Sequence, residues 1–237
     1  IKDDGTMFSF KEAEEFAKQH ELPFIHIKDL VEYQKLKYSN VIKTAQSELY
    51  TEYGKGIIAI YKEIGTNKEH VFLSLKDNYL NGYVRIHSEC FTGDLLSSLH
   101  CDCGSQLHQA LRIISQNGGA LVYLKQEGRN IGLSEKIKAY NLQQTQKLDT
   151  VEANLALGHK DDERDYHQAC WILKNEGYKT IKLISNNPQK INTLKMHGFE
   201  VKQINFKPYT TYINKEYLLT KKTKFNHNIE LEDLLNA

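Results

Sequence analysis

Three cysteines, Cys90, Cys101 and Cys103, lie within fourteen residues of this 237-residue chain. If Cys101 and Cys103 lie on extended backbone, their side chains share one face, and two thiolates can converge on one ion with Cys90 as a third ligand. Thiolates suit Zn²⁺ in tetrahedral geometry, and three protein ligands would leave a fourth position for water, as in catalytic sites. A structural zinc with a histidine as fourth ligand is an equally open interpretation, and the candidates are His87, His100 and His108.

Two loops have the composition of anion-binding segments. Glu127–Leu133 lies between a predicted strand and a predicted helix, and its glycines and Arg129 suit a phosphate group at the helix start. Ser185–Lys190 follows a predicted strand, and Lys190 in the first helical turn opposes the helix dipole unless an anion compensates. A plain turn with a surface arginine is the competing interpretation of the first loop. Arg85 has the same ambiguity.

Two other features favour ordinary structure. The charged run Asp161–Tyr166 is typical of a solvated helix start, because acidic side chains favour the positive end of the helix dipole. Cys170 lies on the apolar face of a predicted helix and is expected to be a buried core thiol.

The strand predicted over residues 83–89 places polar side chains together. Its alternation directs Val84 and Ile86 to one face, and Arg85, His87 and Glu89 to the other. The first is expected to be a core face and the second a polar, functional face.

The remaining pattern predicts an α/β fold with a mixed sheet flanked by helices. Strands are expected over residues 56–62, 71–75, 120–124 and 181–185. Helices are expected over residues 9–19, 105–117, 133–145 and around 166–173, and from Pro188 to just before Gly198. Ser9 and Glu12 form a possible capping box, and Leu133, Ile137 and Tyr140 share one side of their helix. A polar stretch at 33–42 predicts a domain boundary.

Charge and hydropathy limit the possible partners. There are 31 Lys and Arg against 30 Asp and Glu, a balance that offers no overall attraction to nucleic acid or membrane. No apolar run approaches the roughly 18 residues that span a bilayer. Without an export signal, clustered cysteines favour a metal site in a reducing cytoplasm. The chain begins at Ile1 without an initiator methionine and is expected to be part of a longer polypeptide.

Several separated motifs together resemble one family. Residues 84–94 and 101–107 look like the zinc- and GTP-binding signature of GTP cyclohydrolase II, and the resemblance extends over about residues 40–225. Further motifs continue in that family's order: Gln126-Glu127-Gly128-Arg129, Ile131-Gly132-Leu133, Lys138-Ala139-Tyr140, Asp149-Thr150-Val151-Glu152-Ala153-Asn154, Asp162-Glu163-Arg164-Asp165-Tyr166 and Asn186-Asn187-Pro188.

The resemblance implies a role for each matching residue. Cys90, Cys101 and Cys103 would be zinc ligands, Asp162 the proton acceptor, Arg164 the proposed nucleophile, and Tyr140 an aid to ring opening. GTP would be bound by Arg85, Ile86, His87, Ser88, Glu89, Gln106, Glu127, Gly128, Arg129, Thr150, Ser185 and Lys190.

Four positions depart from the family's commonest pattern: His100, Asn130, Ser185 and Gln189. Ser185 keeps a hydroxyl and is expected to keep its contact. Asn130 tolerates left-handed backbone angles better than most residues, so the loop is expected to survive. His100 beside a ligand is the departure expected to alter metal affinity.

The first residues resemble a second family. The segments 3–7, 21–24 and 27–30 look like the end of 3,4-dihydroxy-2-butanone 4-phosphate synthase, which precedes GTP cyclohydrolase II in many bifunctional riboflavin biosynthesis proteins. We therefore expect residues 1–35 to be a remnant of that domain without synthase activity, and residues 40–237 to be a GTP cyclohydrolase II domain.

The implied reaction is zinc-dependent hydrolysis of GTP to 2,5-diamino-6-(5-phosphoribosylamino)pyrimidin-4(3H)-one, formate and pyrophosphate, the first step of riboflavin biosynthesis. Mg²⁺ is expected on the polyphosphate, and the family implies a homodimer. A guanidinium is a poor nucleophile, so Arg164 could instead stabilise charge at the α-phosphate.

Two other functions are compatible with parts of the sequence. One is a catalytically silent relative whose structural zinc supports a partner-binding module in the flavin pathway. The other is a zinc deaminase. His87-Ser88-Glu89 matches the H-x-E arrangement of deaminases, but the paired cysteines are C-x-C and not P-C-x-x-C.

Overall fold

A computed structural model describes residues 1–76 and 82–230 of the chain. The chain divides into two compact units, Ile1–Tyr38 and Ser39–Ala237. The division falls inside the polar stretch 33–42, while the assignment of either unit to a parent domain stays a prediction. The predicted second domain includes residues 77–81 and 231–237, which lie outside the described residues.

The first unit contains two helices, α1 (Phe10–Gln19) and α2 (Ile27–Lys37). The predicted capping box at the start of α1 is confirmed: the Ser9 side chain accepts from the Glu12 amide, and the Glu12 carboxylate accepts from the Ser9 amide at 2.7 Å. Helix α2 was not predicted from the sequence. Its start has no side-chain cap at His26, so it lacks the usual signal for a helix N-terminus.

The second unit is built on a mixed sheet, and the predicted fold class is confirmed. Its described strands are β1 (Val41–Thr51), β2 (Gly54–Glu63), β3 (Glu69–Leu75), β4 (Tyr83–Ser88), β5 (Gly119–Leu124), β6 (Thr180–Ile184) and β7 (Glu200–Ile204). They lie in the order β1-β2-β3-β5-β4-β6-β7. The pairs β1–β2, β2–β3 and β3–β5 are antiparallel, whereas β5–β4, β4–β6 and β6–β7 are parallel.

Helices follow the strands of the parallel half. They are α3 (Phe91–Asp94), α4 (Cys103–Asn117), α5 (Leu133–Gln146), α6 (Thr150–Ala156), α7 (His167–Asn175), α8 (Pro188–Met196) and α9 (Lys215–Phe225). A turn of 3₁₀ helix, Glu127–Asn130, connects β5 to α5. Within the described residues, no helix is both long enough and apolar enough to cross a bilayer.

Apolar side chains pack on both faces of the sheet. On β5, Val122 belongs to one hydrophobic cluster with Ile86 of β4 and Ile172 of α7. Leu121, its neighbour, belongs to the other cluster with Ile114 of α4. The alternation follows from the two-residue period of a strand. Covering both faces is the arrangement that parallel strands require, and it leaves their carboxyl ends free for a site.

The polar face predicted for β4 is also buried. Arg85 and His87 are 5% and 2% exposed, while Val84 and Ile86 are fully buried in the core as predicted. Arg85 satisfies part of its donor capacity by donating from Nη1 to the Ile184 carbonyl oxygen of β6 at 3.0 Å. A buried guanidinium therefore stands at the centre of the parallel strands, where only local partners can balance its charge.

Helix α5 buries a different side from the one marked by its apolar residues. Lys136 and Ala139 are buried, whereas Leu133 and Ile137 are exposed. The spacing of apolar residues located the helix correctly. Its buried face is instead the one that carries Lys136, which forms an ion pair with Glu127.

Candidate active site

The three cysteines converge where β4 ends and α4 begins. Cys90 Sγ lies 3.6 Å from Cys101 Sγ, and the three sulfurs all lie within 4.8 Å of one another. Ligands about 2.3 Å from one tetrahedral Zn²⁺ would be about 3.8 Å apart, so the cluster has the dimensions of a zinc site. Cys103 is the first residue of α4 and does not lie on extended backbone. The sulfurs thus converge through a turn into the helix, and the condition of extended backbone at both cysteines is not met.

None of the three candidate histidines joins the cluster. Among the described residues, the potential ligand group at this position consists of the three cysteines alone. His87 Nε2 lies 3.0 Å from Asp94 Oδ1, and His108 Nδ1 lies 2.7 Å from the Tyr53 hydroxyl. The His100 ring is 5.3 Å from the Tyr140 ring and lines the adjoining cavity. The geometry therefore favours three protein ligands over a closed site with a histidine.

Gly93 lies against the sulfurs. A Cβ atom at this position would be 2.8 Å from Cys101 Sγ and 3.1 Å from Cys90 Sγ. These separations are shorter than van der Waals contact, so the close approach of the α3 backbone to the cluster requires a residue without a side chain.

Lys136 contacts the cluster and is paired with Glu127. Lys136 Nζ lies 3.1 Å from Cys90 Sγ and 2.8 Å from Glu127 Oε1. The second carboxylate oxygen of Glu127 accepts from the Phe91 amide. Glu127, predicted to bind substrate, is therefore already bonded to the Phe91 amide and to Lys136. Glu127 also lines the cavity beside the cysteines.

The loop after β5 has an unusual backbone. Gly128, Arg129 and Asn130 all have positive φ, at 61°, 60° and 76°. Asn130 thus adopts a left-handed backbone conformation, which asparagine tolerates better than most residues. Its side chain donates to the Glu163 carbonyl oxygen at 3.2 Å, and Arg129 Nη1 donates to the Asp161 carbonyl oxygen at 3.0 Å. These contacts hold the loop against the segment that carries Asp162 and Arg164.

Two neighbouring cavities open beside the cysteines, and they share Ser88, Cys103, Arg164 and Tyr217. Nearly all of the predicted site residues line one of them. The first, next to the sulfurs, is lined by Ser88, Glu89, Glu127, Gly128, Arg129, Tyr140 and Thr150. The second is lined by Arg85, His87, Ser88, Gln106, Ser185 and Lys190.

Ile86 is the exception among the predicted substrate-binding residues. Its side chain is fully buried in the core cluster and is not among the residues that line either cavity. Its backbone carbonyl instead accepts from Lys190 Nζ at 2.8 Å. Alternation along β4 dictates this outcome, because the odd-numbered neighbours Arg85 and His87 face the other way.

Lys190 brings a buried positive charge to the second cavity. It lies in the first turn of α8, as predicted, and Asn187 caps that helix by accepting from the Gln189 amide at 2.8 Å. Burial, together with the charges of Arg85, Arg164 and Lys221, places the pKa of Lys190 well below its usual value. The cavity therefore concentrates cationic groups whose mutual repulsion an anion would relieve.

Asp162 and Arg164 form a two-point ion pair. Arg164 Nε lies 2.8 Å from Asp162 Oδ1, and Arg164 Nη2 lies 2.5 Å from Asp162 Oδ2. Burial would raise the pKa of Asp162, but the charge and hydrogen bonds of Arg164 outweigh it and lower that pKa. The interpretation of Asp161–Tyr166 as a solvated helix start was wrong. The helix begins only at His167, and the Asp162 side chain is 10% exposed because it is turned toward Arg164.

A family model described as GTP cyclohydrolase II matches residues 42–205. The chain belongs to the GTP cyclohydrolase II family. It is 40% identical over 230 residues to a riboflavin biosynthesis protein RibBA of Staphylococcus aureus (strain N315), covering 97% of this chain and 58% of that protein. The RibBA protein of Parabacteroides distasonis is 43% identical over 234 residues, covering 96% and 57%. The chain thus spans less than two thirds of these relatives' lengths.

One solved structure also resembles the chain. The crystal structure of RibBX from A. baumannii, titled a two-domain 3,4-dihydroxy-2-butanone 4-phosphate synthase, matches with a TM-score of 0.48 and 26% identity. The match covers 87% of this chain and 52% of that one.

Four residues of this GTP cyclohydrolase II chain escaped the sequence analysis, although they line the site or contact it. Gly93 stood in the recognised motif, but its contact with the sulfurs depends on the fold. Lys136 reads as an ordinary polar residue of an amphipathic helix. Tyr217 and Lys221 lie beyond the matched residues, in the basic C-terminal tail around residues 215–224, whose role the sequence does not show.

Proposed function

We propose that this chain hydrolyses GTP to 2,5-diamino-6-(5-phosphoribosylamino)pyrimidin-4(3H)-one, formate and pyrophosphate, as the first step of riboflavin biosynthesis. The observation that carries the proposal is the convergence of three cysteine sulfurs beside two neighbouring cavities, one of them lined by buried basic side chains. Membership of the GTP cyclohydrolase II family supports the same reaction.

Cys90, Cys101 and Cys103 would hold one zinc ion. Their spacing fits tetrahedral coordination, and a thiolate donor set suits Zn²⁺. When bound, zinc supplies the Lewis acidity that allows water to attack near neutral pH. Gly93 lacks a side chain and so allows the backbone of α3 to lie close to the sulfurs. Lys136 places a positive charge beside the sulfur of Cys90.

The second cavity would bind the polyphosphate. Arg85 and Lys190 contribute buried positive charges, and Ser185 contributes a hydroxyl group. Arg164 lines both cavities and would lie between the phosphates and the base. Charge-assisted hydrogen bonds from such donors hold phosphate oxygens strongly, and Mg²⁺ would arrive with the polyphosphate as part of the substrate.

Arg164 is better suited to stabilise charge at the α-phosphate than to attack it. Burial alone would lower its pKa, but the negative charge that Tyr166 carries when ionised and the carboxylate of Asp162 outweigh burial and raise that pKa above its usual value. A guanidinium that keeps its proton has no free lone pair for attack but keeps its donor fork for phosphate oxygens. Asp162 would then orient the fork, and it could accept a proton only after the pair opens.

Tyr140 would assist ring opening from the first cavity. Its hydroxyl lies 3.4 Å from Thr92 Oγ1, and burial raises the pKa of Tyr140 to about 12. The phenol therefore stays protonated at neutral pH and can donate a hydrogen bond or a proton to the base.

We also propose that the chain acts as a homodimer in the cytoplasm, as its family resemblance implies, without nucleic-acid or membrane partners. The first unit would be the end of a dihydroxybutanone phosphate synthase domain and would lack synthase activity. Light scattering of the purified chain tests the dimer, and a ribulose 5-phosphate turnover assay tests for synthase activity.

The decisive experiment combines metal analysis with product detection. The full chain is incubated with GTP, Zn²⁺ and Mg²⁺, and formate and pyrophosphate are quantified. We expect both products in equal amounts and one zinc per chain, with metal and activity lost together in Cys101→Ser. Cys170→Ala is the matched control, because Cys170 is buried in the core on α7. Release of neither product would indicate a silent relative, and ammonia would indicate a deaminase.

A further inference from the structure

We propose that Lys221, on the C-terminal helix α9, is a phosphate-binding residue of the GTP site, supplied by a tail outside the family-matched region. The inference rests on the proposed function and extends its substrate-binding set. It assigns a task to the basic tail, which neither the sequence motifs nor the family match explains.

Helix α9 borders the second cavity. Lys221 lines that cavity together with Arg85, Arg164 and Lys190, and its side chain is 11% exposed. Tyr217, one turn earlier, lines both cavities, and its ring lies 4.4 Å from Lys221 Nζ. The tail therefore forms a wall of the site at the position where the polyphosphate is expected.

Lys221 has a carboxylate partner, Asp102, which lies between Cys101 and Cys103 in the sequence. Its Nζ atom lies 2.5 Å from Asp102 Oδ1, and Asp102 is 1% exposed. The other oxygen of Asp102 accepts from Gln106 Nε2 at 2.6 Å, and Gln106 Oε1 accepts from Arg85. Lys221 and Arg85, two cations from distant parts of the chain, are thus linked through one carboxylate and one amide.

The charges of the second cavity do not balance. Arg85, Arg164, Lys190 and Lys221 are four basic side chains, and Asp102 is the single carboxylate among the described residues that line it. Asp162, the partner of Arg164, adds one negative charge from outside the lining. Burying more cations than anions is costly unless an anion binds. The depressed pKa of Lys190, caused by burial and then by Arg85, Arg164 and Lys221, is consistent with an unmet need for negative charge.

The tail is fastened so that Lys221 stays at the wall. Asn186 follows β6, and its side chain exchanges hydrogen bonds with Phe206, at 2.6 and 2.9 Å. Its backbone carbonyl accepts from the Asn228 amide at 3.0 Å. The guanidinium of Arg129 also lies 4.3 Å from the Phe225 ring centre. These contacts fix both ends of the tail. The Lys221 ammonium has three N–H donors, so it can donate to a phosphate oxygen while it keeps its contact with Asp102.

The test uses Lys221→Gln in the full chain. Glutamine removes the charge but keeps a donor for Asp102, so the buried carboxylate is not left unpaired. We expect the KM for GTP to rise about 10-fold or more with a smaller change in kcat, since a hydrogen bond between charged groups contributes this much to binding. Affinity for sodium tripolyphosphate, measured by calorimetry, should fall by a similar factor.

Two further variants distinguish a phosphate-binding role of Lys221 from a purely structural one. Lys221→Arg should restore most of the affinity for GTP and tripolyphosphate, because it keeps the charge. Asp102→Asn removes the carboxylate that pairs with Lys221, so tripolyphosphate affinity should stay equal or increase. The zinc content of this variant is measured alongside. Lys215→Ala is the matched control, because it removes a charge from the first turn of the same helix, away from both cavities.

Two outcomes would overturn the inference. One is wild-type binding and KM in Lys221→Gln. The other is an equal loss of tripolyphosphate affinity in Asp102→Asn and Lys221→Gln, which would mean that Lys221 only secures the tail. Failure of the proposed function looks different: the wild-type chain would release no formate from GTP, whatever its affinity for tripolyphosphate.

Discussion

The ammonium group of Lys136 lies 3.1 Å from the sulfur of Cys90. Three thiolates around Zn²⁺ carry a net charge of −1, and Lys136 is placed to neutralise it. Replacing Lys136 with methionine keeps the aliphatic stem but removes this charge. We expect zinc affinity to fall about 10- to 100-fold, as when other outer partners of metal ligands are lost.

Competition with a chromophoric chelator measures this effect. Lys138→Met is the control, because Lys138 lies on the same helix, is 60% exposed and pairs with Glu135. Equal zinc affinities of the two variants would contradict a role for Lys136 in stabilising the cluster.

Gly93→Ala should disrupt the metal site. The added methyl group would lie 2.8 Å from Cys101 Sγ and 3.1 Å from Cys90 Sγ, so either the sulfurs or α3 must move. We expect less than stoichiometric zinc by atomic emission, with far-UV circular dichroism unchanged. Leu95→Ala, in an exposed position just after α3, serves as the control. One tightly bound zinc in Gly93→Ala would show that the cluster tolerates a side chain there.

Arg164→Lys should lower kcat about 10- to 100-fold, because lysine keeps the charge but cannot present the two-point fork now held by Asp162. We also expect no covalent guanylyl adduct in the wild-type chain under single-turnover quenching. Mass spectrometry of the intact chain measures the adduct. An adduct present in wild type and absent in Arg164→Lys would establish Arg164 as a nucleophile.

The stability of the chain should fall in acid, in part through His70. Burial, with a smaller effect of Lys68, lowers the pKa of His70 to about 4 against the opposing charge of Glu63. The neutral ring accepts from the Lys125 amide at 3.1 Å. Because the unfolded chain binds this proton at higher pH than the folded chain, stability is complete above pH about 6.5 and falls toward pH 4.

His70→Asn tests this contribution, since its side-chain oxygen can still accept from the Lys125 amide. Between pH 7 and 4.5, urea unfolding should lose on the order of 2 kcal/mol less in the variant than in wild type. Identical pH profiles would mean that other groups, and not His70, set the acid sensitivity.

The sequence was sufficient to predict helices and strands where the signal lies within one short segment. Helix α4 is marked by the spacing of Leu107, Leu111 and Ile114, and the start of α8 by Asn187 and Pro188. Helix α6 was missed although Asp149 and Glu152 form a capping box that a closer inspection could have found. The missed strands β1 and β7 lie at the two edges of the sheet, where largely exposed residues give no clear alternation.

The site was predictable in composition but not in its internal contacts. The motif residues other than Ile86 that were expected to bind substrate do line the two cavities. However, Arg85 is buried against Ile184, 99 residues away, and Lys221 pairs with Asp102 across 119 residues. Such contacts depend on how the strands are ordered, and periodicity within one segment carries no information about them.

Asn186 joins the two ends of the segment between Phe206 and Asn228, so this stretch closes on itself at one point beside β6. Within this stretch Leu218, Thr220 and Lys221 are buried, whereas Tyr212 is exposed. Exposed positions such as Tyr212 can exchange residues one at a time while the cysteine cluster and the sheet remain unchanged.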